Sequence, residues 1–389
     1  MKQAKILFLV VIALLPLILV SCWGGASVAG GWAGTAFRDG IIYVGTRDGR
    51  VVAINASTQS QQWDYAANAA IYTTPILDDD LGYVGTYSGR VLALNTTARS
   101  QDLSFPQKRY SEWEWNCPTE NAGSNAIVAD FLASEDSIYV SSSNGRVYSL
   151  DKKSGDLNWQ SEVLDKEHGK IWTSPVIQGN TLFVSTFDGH IYALSLETGV
   201  VSDWSFEWEA GFVSSPVIDA DVIYVGSFDR HLYALEIGGN QSLWRFPQEK
   251  PAANWFWASP AVNEGVVYAG CLDGRLYAIN ATTGQELWSY MTEDQKDKPS
   301  PIISSPVLMD NLLIVVNESG TVYVFDLTEE NREEGVPLEP ISIGADVKSS
   351  FCAQDGLVYI RSENNSVYVV DIDEGKVAEG WPVSLAIEK

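Results

Sequence analysis

The sequence predicts an all-β protein, an eight-bladed β-propeller built from four-stranded antiparallel blades. The first observation is a repeat of about 40–45 residues that runs through most of the 389-residue chain. The second is that a proline lies eight residues before the central marker in five copies, and a tryptophan lies 20 to 22 residues after it in six. A unit of this length with several short strand signals is typical of a propeller blade. The eight markers are Tyr43, Tyr83, Tyr139, Phe183, Tyr224, Tyr268, Ile314 and Tyr359.

The clearest copy of the repeat spans residues 257–288. It contains a short apolar run, a run rich in β-branched and aromatic residues, and a third run that follows a tight turn at Asp273-Gly274. Asp-Gly between two such runs is a strong hairpin signal. The turn glycine is expected to have a positive φ. The fifth copy breaks this rule because Arg230 replaces the glycine, so this residue must adopt a strained conformation or another turn type.

The proline and the tryptophan have predicted places in the blade. Proline removes a ladder hydrogen bond, so the run that follows it is expected to be the innermost strand, which has an unpaired edge at the channel. The tryptophan is expected at the outermost strand, where it covers the junction with a neighbouring blade and buries ~200 Å² of apolar surface. These structural tryptophans are Trp63, Trp159, Trp204, Trp244, Trp288 and Trp381.

Two copies are irregular. The second lacks the closing tryptophan, and local similarity predicts that Leu103 takes its place. Residues 106–124 then form an insertion that carries Trp113 and Trp115. Together with Trp255 and Trp257, these aromatics form a candidate loop patch, which can either bind a ligand or plug the end of the central channel. The seventh copy also lacks the closing tryptophan.

The N-terminal segment predicts export and lipid attachment. Residues 1–21 begin with two lysines, continue with an apolar run too short for a comfortable membrane span, and are expected to be a signal peptide. Leu19-Val20-Ser21-Cys22 resembles a bacterial lipobox, which implies cleavage before Cys22 and acylation of its thiol. The alternative is an ordinary signal peptide. Residues 22–30 are then a short tether, and residues 31–389 form one propeller.

Composition excludes several classes of function. A formal net charge of −25 and the lack of a basic segment argue against binding to nucleic acid. Four cysteines without a CxxC motif and only three histidines supply a zinc or haem site poorly, so no metal site is predicted. The aspartates of the hairpin turns suit the backbone there and are given no catalytic role.

One set of basic residues is a candidate binding face, because each member directly follows the hairpin turn of its copy and equivalent positions in a propeller share a face. Such a partial ring can bind an anion or an acidic partner. The alternative is that each side chain pairs with an acidic residue of its own or the adjacent turn. The set comprises Arg50, Arg90, Arg146, His190, His231 and Arg275.

The phrases YVGTRDGRVVAIN and TTGQELW resemble PQQ-like propeller repeats, and the resemblance covers nearly all of residues 31–385. One branch of that superfamily, the quinoprotein alcohol dehydrogenases, implies a pyrroloquinoline quinone, calcium and an adjacent Cys-Cys pair, which this sequence lacks. The other branch comprises lipid-anchored, eight-bladed BamB-type proteins that assist outer-membrane protein assembly without a cofactor. The lipobox, the eight copies and the length are similar to this second branch.

These features predict a non-enzymatic, monomeric propeller, anchored to the membrane through Cys22 outside the cytoplasm, that acts as an interaction scaffold for protein partners in the cell envelope. No cofactor is expected. Two alternatives remain. One is a quinone-dependent dehydrogenase, and the other is a surface module that senses a ligand or glycan through its loop aromatics.

Overall fold

The computed structural model describes residues 33–97, 111–118, 125–164, 170–239, 241–294, 296, 298–328 and 334–386. Within these ranges all regular structure is β-strand, arranged as eight antiparallel sheets, so the predicted fold class is confirmed. None of the described segments is a helix long and apolar enough to cross a membrane. The predicted signal peptide and the lipobox at Cys22 lie outside the described residues.

Each sheet is one blade, and each blade uses four consecutive strands; the last blade has a fifth short strand beside its third. Blades one and two contain β1 (Thr35–Arg38), β2 (Ile41–Gly45), β3 (Arg50–Asn55), β4 (Ser60–Ala66), β5 (Ile76–Asp78), β6 (Leu81–Gly85), β7 (Arg90–Asn95) and β8 (Ser111–Asn116). Blades three and four contain β9 (Leu132–Ala133), β10 (Ser137–Ser141), β11 (Val147–Asp151), β12 (Leu157–Gln160), β13 (Val176–Gln178), β14 (Thr181–Ser185), β15 (His190–Ser195) and β16 (Val201–Glu207). Blades five and six contain β17 (Val217–Asp219), β18 (Val222–Gly226), β19 (Leu232–Glu236), β20 (Ser242–Phe246), β21 (Ala261–Asn263), β22 (Val266–Gly270), β23 (Arg275–Asn280) and β24 (Glu286–Met291). Blades seven and eight contain β25 (Val307–Met309), β26 (Leu312–Val316), β27 (Thr321–Asp326), β28 (Ile341–Ser342), β29 (Phe351–Gln354), β30 (Leu357–Ser362), β31 (Ser366–Asp371), β32 (Lys376–Val377) and β33 (Val383–Ser384).

The first strand of each blade lies at the centre of the ring. First strands of successive blades contact one another, as β1 contacts β5 and β13 contacts β17. The proline of the repeat directly precedes this strand, as Pro75 precedes β5. This position beside the innermost strand agrees with the sequence prediction. The channel-facing edge of that strand has no ladder partner, so a proline there, which lacks an N–H, breaks no ladder hydrogen bond.

The hydrophobic core is divided among the blade junctions. Eight apolar clusters occur in the described residues, and each joins two neighbouring blades. The cluster between blades four and five, for example, packs Phe183 and Ile191 against Ile223 and Tyr233, all at most 2% exposed. A single blade therefore cannot bury its own faces, which is the physical reason for the closed ring.

The ring closes by contact between blades one and eight, and each contributes complete strands of its own. Ile42 and Val52 of blade one pack with Tyr359 and Val367 of blade eight. Thr35 adds a hydrogen bond from its hydroxyl to the carbonyl oxygen of Tyr359 at 2.6 Å. Closure therefore relies on side-chain packing and isolated hydrogen bonds, since no described strand is exchanged between these blades.

Several of the repeat tryptophans connect the outermost strand of one blade to the next blade, whereas Trp381 lies between β32 and β33 and packs, partly buried, at the junction of blades eight and one. The indole N–H of Trp159 donates to the carbonyl oxygen of Leu196 in blade four, and that of Trp244 donates to Ala281 in blade six, both at 2.8 Å. A glycine of the next blade lies under the ring. A Cβ added to Gly284, which has φ +66°, would come within 2.7 Å of the Trp244 ring. The indole thus fits a space that only a glycine leaves open.

The second blade corrects the expectation from the sequence. Trp113 lies on β8 opposite Ala93, as Trp63 lies opposite Ala53 in blade one, so Trp113 is the closing tryptophan of this blade. Its indole donates to the carbonyl oxygen of Lys152 at 3.1 Å. The prediction that Trp113 and Trp115 lie on an inserted loop is therefore wrong, because the extra residues precede β8. Leu103 lies outside the described residues.

The fifth hairpin turn contains the backbone strain that its missing glycine implied. Arg230 has φ +69°, in the left-handed region where the equivalent Gly274 has φ +90°. A side chain in this region costs roughly 1 kcal/mol or more. The register of the repeat is kept in spite of this cost.

Candidate functional site

One end of the ring collects two kinds of segment: the turns between the second and third strands, and the connections between blades. We call this end the mouth face. Main-chain hydrogen bonds join the two kinds of segment, from Tyr87 N to Ala70 O at 2.8 Å and from Leu272 N to Trp255 O at 2.9 Å. Because the strands are antiparallel, the turns between the first and second strands lie at the opposite end.

A chain of aromatic rings spans part of the mouth face, from the connection before blade four to the connection before blade six. Its members are Trp172, Phe187, Phe228 and Trp255, which we call the aromatic row. The centroids of successive rings are 5.6, 5.2 and 5.5 Å apart, with edge-to-face geometry. Phe187 is buried, whereas the other three rings are partly exposed. Sequence reasoning identified only Trp255 as a surface candidate and missed its continuity with the other three.

The other sector of the mouth face is charged. Lys348 pairs with Glu318 at 3.3 Å, and Glu363 follows β30 nearby. Arg361 at the end of β30 is 1% exposed, and burial lowers its pKa to about 10, an effect that the charge of Glu363 opposes. The guanidinium therefore keeps its charge at neutral pH in a buried position. All seven other blades have a buried glycine, serine or valine at the corresponding strand end.

The predicted basic ring lies at the starts of the third strands, and much of its charge is paired within the blade. Arg50, 6% exposed, contacts Asp48 at 3.0 Å and Asp64 at 3.6 Å. Arg90 pairs with Glu114 at 3.3 Å. These pairs match the alternative in which each basic side chain has a nearby acidic partner.

Of the remaining members of the basic ring, the two histidines also lie close to acidic residues. His190 and His231 lie 3.2 and 3.3 Å from the turn aspartates Asp188 and Asp229. Arg146 donates to the carbonyl oxygen of Ser161 at 2.5 Å, and Arg275 occupies the same position at the start of β23. The structure thus places the six side chains equivalently in their blades, but it does not bring them together at one point.

The turn aspartates have structural partners. Asp229 accepts hydrogen bonds from the hydroxyl of Tyr233 at 2.5 Å and the indole of Trp208 at 3.1 Å, and Asp273 accepts from Tyr277 at 3.0 Å. Burial, reinforced by the neighbouring carboxylate, raises the pKa of both tyrosines. The tyrosines therefore remain protonated and act as donors to the turn.

An axial carboxylate was missed by sequence reasoning. The residue before the proline position is Thr or Ser in six blades, whereas blade three has Asp130 there. Asp130 accepts a hydrogen bond from Thr74 N at 2.6 Å. Burial raises the pKa of Asp130 to about 6, against the lowering effect of its hydrogen bonds with Thr74. The interruption of the hydroxyl pattern was the available signal. The six hydroxyl residues are Thr74, Ser174, Ser215, Ser259, Ser305 and Ser350.

The aromatics of the second blade have internal partners. Trp115 lies 4.9 Å from Tyr148 of blade three, centroid to centroid, and both Trp113 and Trp115 pack against the cluster between blades two and three. Trp255 belongs to the aromatic row, and Trp257 is partly exposed in the same connection. The four residues of the predicted patch are therefore divided between a blade junction and the mouth face.

The residues present do not fit a quinone–calcium centre. Three cysteines are described, and they belong to different parts of the ring: Cys117 follows β8, Cys271 follows β22 and Cys352 lies on β29. Burial raises the pKa of the Cys271 thiol, and that of Cys352 to about 11, as expected of small core side chains. Among the described residues, no group of three His, Cys, Asp or Glu side chains could hold a metal ion. Asp130 stands among hydroxyls and so offers a single carboxylate.

Solved structures show how widely this fold occurs. BamB from Moraxella catarrhalis is 20% identical, with a TM-score of 0.65 over 87% of this chain and 93% of that one. Quinohemoprotein alcohol dehydrogenase from Comamonas testosteroni is 15% identical, with a TM-score of 0.64 over 88% of this chain and 71% of that one. Saccharomyces cerevisiae Sqt1 is 14% identical, with a TM-score of 0.68 over 88% and 95%. At these identities the likeness establishes the fold alone.

Sequence comparison is more specific. A search of curated proteins found no significant match. One family profile, described as outer membrane protein assembly factor BamB, matches residues 21–245 and again residues 166–380. The two overlapping matches reflect the repeat and together cover almost the whole propeller. This chain is therefore a member of the BamB family of PQQ-like repeat propellers.

Proposed function

We propose that this protein is a lipid-anchored, non-catalytic propeller that serves as a protein-interaction scaffold in the cell envelope. The observation that carries the proposal is the family match along nearly the whole ring, since the matched family is described as an outer membrane protein assembly factor. The lipobox before Cys22 supports attachment to a membrane. The internal pairing of the turn aspartates and of most basic-ring side chains supports a structural role for these groups.

Crosslinking in the native cell tests the scaffold role. A photo-crosslinking amino acid replaces one exposed residue at a time, and crosslinked bands are identified by mass spectrometry. Suitable positions at the two ends and the rim are Tyr87, Asp80 and Leu243. A scaffold is expected to give a discrete envelope protein from at least one position and none from a matched position elsewhere on the ring. Diffuse or absent crosslinking at all positions would contradict the proposal.

The lipid anchor has its own test. Cys22→Ser is expected to abolish incorporation of labelled fatty acid and to release the protein from the membrane fraction. Cys352→Ser changes a partly buried thiol of blade eight and should leave both unchanged. Acylation that survives Cys22→Ser would rule the anchor out.

The dehydrogenase alternative can be tested separately. The purified protein is titrated with pyrroloquinoline quinone and calcium while dye-linked alcohol oxidation is followed. The scaffold proposal expects neither saturable binding nor turnover, because the adjacent cysteine pair is missing and no metal-binding donor set occurs among the described residues. Saturable binding accompanied by turnover would replace the scaffold with an enzyme.

A further inference from the structure

The described chain begins at the mouth face, beside the axis. A Cβ added to Gly45, at the end of β2, would lie 3.2 Å from the Cβ of Ala33, which is fully buried. The turn that follows Gly45 is one of the eight turns of the mouth face. The described chain therefore enters the propeller at this end.

The anchor lies a short distance along the chain from that point. Ten residues separate Cys22 from Ala33, and a fully extended chain of this length reaches at most about 40 Å. If the opposite end faced the membrane, the connecting chain would have to pass the four strands of a blade and the length of a five-residue strand. That path is roughly 30 Å before turns and side chains are added, which is most of the available reach. The reach thus favours an orientation in which the mouth face is nearer to the bilayer.

The two ends differ in charge. The turns between the first and second strands, at the opposite end, contain with their flanking residues eleven carboxylates and one basic residue, Arg38. The turns between the third and fourth strands share this end and add Lys152, which pairs with Asp78, Lys153 and Lys376, but also at least ten further carboxylates among the described residues. The eleven carboxylates of the first-to-second-strand turns belong to Asp39, Asp78, Asp79, Asp80, Glu135, Asp136, Asp219, Asp221, Glu264, Asp310 and Asp355. An anionic membrane surface repels such an end within about a Debye length.

The turns of the mouth face are balanced instead. Counted through the first residue of the third strand, they contain six arginines and six carboxylates. These are Arg47, Arg50, Arg90, Arg146, Arg230 and Arg275, with Asp48, Asp188, Asp229, Asp273, Glu318 and Glu363. The connections at this face add five lysines and seven carboxylates among the described residues. The mouth face can therefore approach an anionic surface at much lower electrostatic cost.

The mouth face also presents amphipathic aromatics. Tyr87 is 48% exposed and contacts Tyr72 with ring centroids 5.5 Å apart. Trp172 and Trp255 of the aromatic row are partly exposed at the same end, and Lys170 lies 5.5 Å from the centre of the Trp172 ring. Tryptophan and tyrosine favour the interface between lipid and water, where lysine meets the headgroups.

We infer that the mouth face lies against the membrane to which Cys22 is attached, with the aromatic row and Tyr87 at the lipid–water interface. The acidic end then points away from the membrane. This inference rests on the lipid anchor proposed above. It adds an orientation and a lipid contact, which leave the acidic end and the rim of the ring for protein partners.

The test compares two ends of one blade. Tyr87→Cys lies in the mouth-face turn of blade two, and Asp80→Cys lies in the opposite turn of the same blade; both positions are exposed. Each full-length acylated protein is labelled with an environment-sensitive fluorophore and reconstituted into phosphatidylethanolamine–phosphatidylglycerol vesicles. Quenching by a nitroxide lipid is then measured. Labelling of the protein without an added cysteine sets the background from the native thiols. Ser88→Cys, also exposed, replaces Tyr87→Cys if that variant folds poorly.

Flotation with the vesicles is measured first. The expected result is flotation of both variants, several-fold stronger quenching at position 87 than at position 80, and a blue shift at position 87 alone. Equal quenching, or stronger quenching at position 80, would overturn the orientation while the anchor stands. Failure of both proteins to float would overturn the anchor, and the inferred orientation with it.

Discussion

At the scale of single residues, local chemistry differs among positions that the repeat makes equivalent. Asp130 shows this most clearly, because a carboxylate stands where six other blades have a hydroxyl. Its oxygen accepts the same kind of main-chain hydrogen bond that Ser215 accepts from Ser174 N, at 2.8 Å. Since only the aspartate carries a proton that can be lost in the physiological range, it makes the axis sensitive to pH.

Asp130→Asn is expected to stabilise the protein at neutral pH. The pKa of Asp130 is about 6 in the folded protein and near 3.9 in an unfolded chain, so the folded state holds the proton more tightly. Stability from this group is present below the unfolded pKa and is lost as pH rises through about 6. Asparagine keeps an acceptor for Thr74 N and cannot ionise. It therefore avoids this loss of folding free energy, which is at most roughly 3 kcal/mol.

Urea unfolding at several pH values between 4 and 8 measures this effect. The difference in free energy of unfolding between Asp130→Asn and wild type should grow with pH up to neutrality. Ser215→Ala is the matched control, because it removes an acceptor at the equivalent position without changing a titratable group. A pH-independent difference for Asp130→Asn would show that the carboxylate is not the source.

At the scale of elements, the outermost strand of a blade is held by its tryptophan. Trp244 is 7% exposed, stands on β20 in blade five and is bonded to Ala281 in blade six. The same arrangement recurs at Trp204, whose indole donates to Gly239 O at 2.6 Å. The ring therefore adds both apolar area and one directed hydrogen bond to the junction.

Trp244→Ala is expected to lower the free energy of unfolding by about 3–5 kcal/mol, because it leaves a cavity between two blades. Trp244→Phe should cost less, since it keeps most of the ring and loses the hydrogen bond to Ala281. Leu243→Ala, at an adjacent position that is 51% exposed, is the control and should change stability little. Chemical denaturation measures all three variants, and equal effects of Trp244→Ala and Leu243→Ala would contradict the role of the junction.

At the scale of the whole molecule, stability depends on closing the ring. Leu385, 1% exposed, follows β33 and packs in the cluster that joins blades eight and one. Its carbonyl oxygen accepts a hydrogen bond from the guanidinium of Arg50 in blade one. The end of the last blade is thus tied to the first blade by both packing and a charged donor.

Leu385→Asp is expected to destabilise the protein by several kcal/mol, because it buries an unpaired charge at the closing junction. Ala386→Asp, one residue further along and exposed, is the matched control and should have little effect. Thermal unfolding followed by circular dichroism measures both. A normal melting temperature for Leu385→Asp would mean that the closing junction contributes little to the stability of the ring.

The periodic spacing of markers was sufficient to predict the eight blades and the innermost position of the proline-led strand. Each of these follows from local patterning or from backbone geometry that a single copy already contains. The missing turn glycine left either a strained conformation or another turn type at Arg230, and the structure shows the strained one. Trp113 was misplaced because its distance from the marker Tyr83 includes an insertion. Only strand pairing shows that the insertion precedes β8.

What the sequence determined by itself is therefore the architecture, since repeating apolar faces that cannot be buried within one blade must be buried between blades. The tertiary structure decided which residues from distant copies meet. It aligned Trp172, Phe187, Phe228 and Trp255 into one row, and it placed the carboxylate of Asp130 at the axis. It also separated an acidic end from a balanced one. These features depend on which turns of neighbouring blades come to the same end of the closed ring. Only the assembled blades determine that.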